Sequence, residues 1–218
     1  MVRDGYFYAL GLAAVAVVLY LLHLYALMAL PLVLALFFLW FFRDPERRIP
    51  SEAGMIVSPA DGVVTATEQI ETTSGSRLRL SIFLSVFSVH VNRSPVSGTV
   101  KVAELHKGEF LNAMKAESAV NNEQSLIVIE ADGYAVSLKQ IAGLLARRIV
   151  FHLKPGDRVE RGQRIGLIKF GSRVDVLLPV AAELKVANGS RVRGGATVLA
   201  QLPEYKINDS QTAKEAVV

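Results

Sequence analysis

Residues 5–42 contain no Asp, Glu, Lys or Arg. As a helix this stretch would be roughly 57 Å long at 1.5 Å per residue, nearly two crossings of a bilayer core about 30 Å thick. Residues 6–22 and 26–42 are each just long enough to span. His23 and Tyr25 lie between them, and Pro31 suits the first turn of the second helix. A helical membrane hairpin is therefore expected over residues 1–42, although a single tilted helix or an interfacial segment fits the same length. The run is too long for the apolar core of a secretory signal and lacks an Ala-x-Ala site before its charged flank. Arg3 flanks its start, and Arg43, Arg47 and Arg48 crowd its end. The positive-inside rule then places the following domain on the cytoplasmic side of the cell membrane.

Residues 43–53 form a proline-bracketed linker, after which the pattern changes to short β-branched and aliphatic runs. Strands are expected at 55–57, 62–70, 77–84, 99–105, 125–130, 134–141, 149–153, 164–169, 174–178, 183–186 and 197–201. Asp61-Gly62, Gly75, Pro95, Asp132-Gly133, Pro155-Gly156-Asp157, Pro179 and Gly194-Gly195 break them. Helical spacing of apolar residues appears only over 109–119, at Phe110, Leu111 and Met114. The expected fold is mainly β: a compact barrel or sandwich-hybrid catalytic body over 54–202, behind the helical hairpin, with a polar tail at 203–218. A weak internal echo runs through Pro59-x-x-Gly-x-Val, Pro95-x-x-Gly-x-Val and Pro155-Gly-Asp-x-Val-x-x-Gly-Gln. Such phrases are typical of biotinyl and lipoyl-type hybrid barrels.

Composition removes several classes of function. There is no cysteine, so a disulfide framework and thiolate metal sites are excluded. The four histidines, His23, His90, His106 and His152, show no zinc-ligand spacing, and no metal is expected. The net charge of +4 comes without an aromatic-interleaved basic stripe, so nucleic acid is not the expected partner. Beside a membrane segment, attraction to anionic headgroups is the simpler reading.

The candidate chemistry lies in Lys169-Phe170-Gly171-Ser172-Arg173-Val174-Asp175, between two expected strands. A serine hydroxyl in that connection can attack the carbonyl of its own preceding residue. Glycine on the acyl side removes a crowding Cβ and permits unusual φ and ψ. The resulting ester can be expelled by β-elimination, leaving a dehydroalanine that hydrolyses to a pyruvoyl cap. A base near neutrality is needed, and His90 is the best candidate, expected on one face of a strand over 81–91 with Ile82, Leu84 and Val86. Asp61 would orient the imidazole as the third group does in Ser-His-Asp systems. The rival is a membrane-anchored biotinyl- or lipoyl-like adaptor without catalysis. A carrier of that kind needs a modified lysine at a hairpin tip, and Gly171-Ser172 stands close to that place instead.

Phe-Gly-Ser-Arg-Val-Asp at 170–175, Ser-Pro-Ala-Asp-Gly at 58–62 and Phe-Leu-Ser-Val-Phe-Ser-Val-His-Val-Asn-Arg-Ser-Pro at 83–95 together resemble the phosphatidylserine decarboxylase family, in its short proenzyme form. The likeness runs from Phe-Arg-Asp-Pro at 42–45 to about residue 202. It implies self-cleavage at Gly171-Ser172, a covalent pyruvoyl cofactor from Ser172, and Asp61 and His90 as partners of that serine. It also implies two associated fragments, 1–171 and 172–218, with phosphatidylserine and membrane lipids as partners, and it allows a homodimer. Asn122 and Glu123 resemble a segment lining the substrate site. Arg147-Arg148 would serve as surface or phosphate contacts, and His106 and His152 as structural residues. Long-form relatives carry Leu-Gly-Ser-Thr at the cleavage site and two histidines three apart; here only His90 is present, and Asn92-Arg93 occupies the neighbourhood of the second. His90 would then serve both steps, or another group would supply one of them.

Overall fold

The computed structural model describes residues 2–72, 75–112, 117–143, 149–168 and 171–203. The polar tail beyond Pro203, Arg147-Arg148 and part of the expected 109–119 helix lie outside them. The chain divides into two compact units, one ending at Glu46 and one beginning at Arg47.

The first unit is a pair of helices, α1 (Arg3–Leu21) and α2 (Tyr25–Phe41). Tyr8 stacks on Phe38 and Phe42, with ring centroids 5.0 and 5.7 Å away. A Cβ on Gly5 would stand 2.7 Å from that of Phe42, so glycine lets the two helices close. The expected hairpin is what forms, and its turn is made without glycine. His23 takes φ 58°, and its Nδ1 lies 2.7 Å from the Tyr25 hydroxyl. Asn, Asp and His enter the left-handed region more readily than other side chains, which suits the residue found there. Pro31 sits well inside α2 and not in its first turn. Arg3–Leu21 is long and apolar enough to cross a membrane, while Tyr25–Phe41 is shorter at 17 residues.

The second unit is built on an eight-stranded sheet that curls into a half-barrel. Its strands are β2 (Gly62–Thr72), β3 (Gly75–Leu84), β5 (Gly98–His106), β6 (Gln124–Ala131), β7 (Tyr134–Ile141), β9 (Arg158–Val159), β11 (Ser172–Pro179) and β13 (Arg191–Val192). Their order is β13-β2-β3-β11-β7-β6-β5-β9, with every pairing antiparallel. Two three-stranded sheets accompany it. One joins β1 (Met55–Val57), β14 (Val198–Gln201) and β12 (Glu183–Leu184); the other joins β4 (Val91–Arg93), β10 (Arg164–Ile168) and β8 (Ile149–Phe151).

Alternation along the large sheet sends Leu80, Ile82 and Leu84 of β3 and Val174, Val176 and Leu178 of β11 into one buried cluster. Ile127, Ile129, Val136 and Leu138 join them from β6 and β7, and Ile56, Ile165, Ile168 and Leu199 from the small sheets. Each such side chain, fully buried, contributes about 1.5–3 kcal/mol.

The repeated Pro-x-x-Gly-x-Val phrase has a structural counterpart. Gly62 opens β2 and Gly98 opens β5, and a Cβ on either would collide with a carbonyl oxygen of the neighbouring strand, Phe83 or Glu130. Each strand shifts register just after its valine, at Val64/Ala66 and at Val100/Val102. The valine N–H groups donate at 2.9 and 2.8 Å to Ser190 and Asp157. β13 and β9 then pair with the two glycine ends. The two outer parts of the half-barrel, β13-β2-β3 and β9-β5-β6, are thus built alike, with β11 and β7 between them.

Two expectations are corrected. The stretch 81–91 is not one strand: β3 stops at Leu84, a turn follows in which Ser88 N–H donates to Ser85 O at 2.9 Å, and pairing resumes at β4. The Ser85 hydroxyl accepts from Phe87 N–H within that turn, the local competition with strand pairing that serine offers. Nor is the 109–119 segment helical at its start. Glu109 bridges to Asn122, and helix is confined to α3 (Ser118–Asn121) among the described residues.

Candidate active site

One end of the large sheet collects most of the residues singled out in the sequence. Val63 lies opposite Phe83, Leu84 opposite Ser172, Arg173 opposite Ile141, Ile141 opposite Gln124, and Gln124 opposite His106. Asp61 immediately precedes β2 and Asn122-Glu123 immediately precedes β6 at this end. β2 and β11 flank β3, so their starts are roughly 10 Å apart at 4.7–4.9 Å per strand.

Ser172 begins β11 and is fully buried. It lies on the face that carries Val174, Val176 and Leu178 into the core. Its hydroxyl has no hydrogen-bond partner among the described residues, which is rare for a buried polar group and is found where chemistry or strain requires it. Gly171 before it has φ +51°, a left-handed backbone that disfavours any side chain. Apart from its chain neighbours, no described residue would lie within 4 Å of a Cβ added at Gly171. The two flanking strands form, but Ser172 is the first residue of β11 and not part of the connection, and the strands do not pair with each other: β10 belongs to a small sheet and β11 to the large one.

His90 is 1% exposed and lies between the Ser85–Ser88 turn and β4. Its carbonyl accepts from Ile168 N–H at 3.3 Å, which brings its main chain beside the strand leading to the Gly171-Ser172 bond. Asp61 is held elsewhere than on His90. Its Oδ1 accepts from Arg47 at 3.0 Å and from Gly194 N–H at 2.8 Å, and its Oδ2 accepts from the same Arg47 nitrogen at 2.8 Å. Among the described residues, then, the strand that begins with Ser172 and the connecting segments that carry His90 and Asp61 are brought together without a side-chain hydrogen bond from Ser172 or Asp61 to His90.

A buried polar chain supports this region. Ser125 donates to Gln140 at 2.6 Å, Gln140 donates to Asn92 at 2.7 Å, and Asn92 reaches the Pro59 carbonyl at 3.5 Å. It links β6 and β7 to the segment after His90 and to the turn before Asp61. Asn92, in the neighbourhood of the second histidine of long forms, thus has a structural task. Asn122 is equally committed. Its amide donates to Leu111 O at 2.8 Å and Ala142 O at 2.7 Å, and its carbonyl accepts from Leu111 N–H at 2.9 Å. It clamps the loop after β5 to the end of β7. Glu123 beside it is half-buried, and its main chain bonds Glu109 and Ala142.

On the other face of β11, Arg173 and Asp175 form a two-pronged ion pair at 2.9 and 3.0 Å, 8% and 2% exposed. Lys139 lies across from Asp175 on β7. Burial lowers the Lys139 pKa below the usual lysine value; Asp175 opposes that shift, and Arg173 and Arg79 reinforce it. The pair was missed in the sequence although a signal was present, two opposite charges two apart in an aliphatic strand. His106 pairs with Glu104 at an exposed site, and His152 follows β8. Among the described residues no cluster of His, Asp and Glu could hold a metal.

The family model described as phosphatidylserine decarboxylase matches residues 34–200. Three similar proteins are each named phosphatidylserine decarboxylase proenzyme. That of Solibacter usitatus is 50% identical over 208 residues, 94% of this chain and 98% of its own length. That of Symbiobacterium thermophilum is 48% identical over 93% of this chain and 95% of its own, and that of Cupriavidus pinatubonensis 46% identical over 82% and 84%.

Proposed function

The chain belongs to the phosphatidylserine decarboxylase family, and on that premise we propose that it is a proenzyme that cuts its own Gly171-Ser172 bond and then converts phosphatidylserine to phosphatidylethanolamine. The Ser172 hydroxyl attacks the carbonyl carbon of Gly171 and gives its proton to His90; the Gly171 C–N bond then breaks as His90 passes that proton to the Ser172 nitrogen, which leaves as an amine, and an ester remains. His90 next takes the Ser172 Cα proton. The ester C–O bond breaks, leaving a carboxylate on Gly171 and a dehydroalanine at the new amino terminus. Tautomerisation to an imine and hydrolysis release ammonia and leave a pyruvoyl group.

What carries the reading is the buried hydroxyl of Ser172, without a partner among the described residues, behind a glycine of positive φ. These residues suit the group, which once formed supplies a ketone for the substrate amine and a sink for the electrons left as carbon dioxide departs. Asp61 supplies a negative charge at the sheet end where Ser172 lies, which favours the protonated His90 ring, and Glu123 takes part in binding the substrate on a segment that Asn122 holds. Burial of Ser172 keeps water from the reacting end of the sheet. The cut falls at the head of β11, which is paired with β3 and β7 on its two sides. Fragments 1–171 and 172–218 therefore stay together. The apolar helices keep the protein at the cell membrane, with the second unit on its cytoplasmic side. An adaptor without catalysis has no support from relatives that are all named decarboxylase proenzymes. Release of labelled carbon dioxide from carboxyl-labelled phosphatidylserine is the test: the wild type should release it, and release by Ser172→Ala would contradict the assignment.

A further inference from the structure

Arg47 is the first residue of the second unit and belongs to the segment that reads, in the sequence, as a spacer with a positive flank. Its side chain is only 11% exposed, and among the described residues it forms an ion pair with Asp61, itself 17% exposed at the side chain. One guanidinium nitrogen reaches both carboxylate oxygens, at 3.0 and 2.8 Å, and the Gly194 N–H adds a third contact at 2.8 Å. A desolvated charge pair is costly to assemble unless its geometry is good. Here the geometry fixes the direction of a carboxylate on the loop that opens β2, at the sheet end where Ser172 lies. The surroundings hold it closely. Ile49, two residues on, lies under Gly162 and Gly195, and a Cβ on either glycine would collide with its Cδ1. A Cβ on Gly194 would lie 3.4 Å from Asp61 Oδ1.

We propose that Arg47 is a positioning residue for self-cleavage, fixing the charge of the Asp61 carboxylate at the sheet end where Ser172 lies; the linker after the apolar helices is thereby part of the reacting site. This rests on the role given to Asp61 above. It distinguishes Arg47 from Arg43, whose guanidinium instead lies 4.1 Å over the Trp40 ring.

The test follows maturation of full-length Arg47→Ala, Arg47→Lys and Asp61→Asn by the appearance of the two fragments, with thermal unfolding of each variant measured alongside. Arg47→Ala should mature about tenfold or more slowly, the loss expected from removing a hydrogen bond to a charged group. Lysine at that position, or free guanidinium well below denaturing concentration added to Arg47→Ala, should restore part of the rate. Neither wild type nor Asp61→Asn should respond to guanidinium. Maturation of Arg47→Ala at the wild-type rate or faster, with Asp61→Asn inert, would overturn the proposal and leave the role of Asp61 standing. So would slow maturation that neither lysine nor guanidinium improves, because that marks Arg47 as a support of the fold only. Normal maturation of Asp61→Asn would instead remove Asp61 from the site, and this proposal with it.

Discussion

Ile168 donates its backbone N–H to the carbonyl oxygen of His90 at 3.3 Å, and so couples the strand that leads to Ser172 with the segment that carries the histidine. The contact is long for an N–H···O bond, yet it joins two segments far apart in the sequence at the place where a base is needed. His90→Ala should therefore slow self-cleavage by about a hundredfold or more, the usual contribution of a general base. His90→Gln is the variant to examine for residual maturation, because any mature fraction would reveal whether the same ring also serves decarboxylation. Normal maturation and turnover in His90→Ala would remove the residue from both steps.

Gly171 has no described residue other than its chain neighbours within 4 Å of an added Cβ, but it has a left-handed backbone. In a Ser172→Ala background, which keeps the chain whole, Gly171→Ala should cost about 1–2 kcal/mol. Asn should cost less than Ala, and Val more, because only Asn among them visits that region readily. Urea unfolding ranks the three. Equal stability of Ala and Gly would mean that the backbone does not hold the positive φ.

The Arg173–Asp175 pair makes the opposite kind of prediction. Asp175→Ala in the same uncleaved background removes the buried carboxylate paired with Arg173 and should lower stability by about 3–5 kcal/mol. Replacing both residues with apolar ones of similar size should recover most of that loss. Similar unfolding midpoints for Asp175→Ala and its parent would show the pair to be solvated.

The apolar helices contain no candidate catalytic residue. A chain beginning at Arg43 keeps Arg47 and the whole β body, so it should still cleave at Ser172. It should act on detergent-dispersed phosphatidylserine and lose most of its rate on intact vesicles, since the apolar helices proposed to hold it there are gone. Equal rates of the two chains on vesicles would show that the helices are not needed for access to the substrate.

The extent to which the sequence foretold the structure varies with the range of the interactions. Tyr134–Ile141 and Met55–Val57 are bounded as their residues predict, because Asp132-Gly133 and the flanking polar turns are local signals. The repeated Pro-x-x-Gly-x-Val phrase was legible because each glycine has the same task, a close approach to a neighbouring carbonyl. The break at residues 85–88 was not. Val86, Phe87 and Val89 keep a strand-like composition, and only the hydrogen bonds of Ser85 end the strand. The loop over 109–112 looked helical by spacing, but its hydrogen bonds come from Asn122, which periodicity cannot reveal. Arg47 read as a membrane flank because its partner, Asp61, is 14 positions away. Arg173 and Asp175 were visible as charges in an apolar strand, but their mutual burial depends on how β3 and β7 close around β11.

The most direct measurement is the intact mass of the purified wild-type protein beside that of Ser172→Ala. The account predicts two species for the wild type, residues 1–171 and 172–218. The smaller should be resistant to amino-terminal sequencing and lighter than a serine-headed fragment by the loss that conversion to a pyruvoyl group requires. Ser172→Ala should remain one chain of 218 residues. A single uncut species for the wild type, or a cut at the same bond in Ser172→Ala, would contradict the central claim.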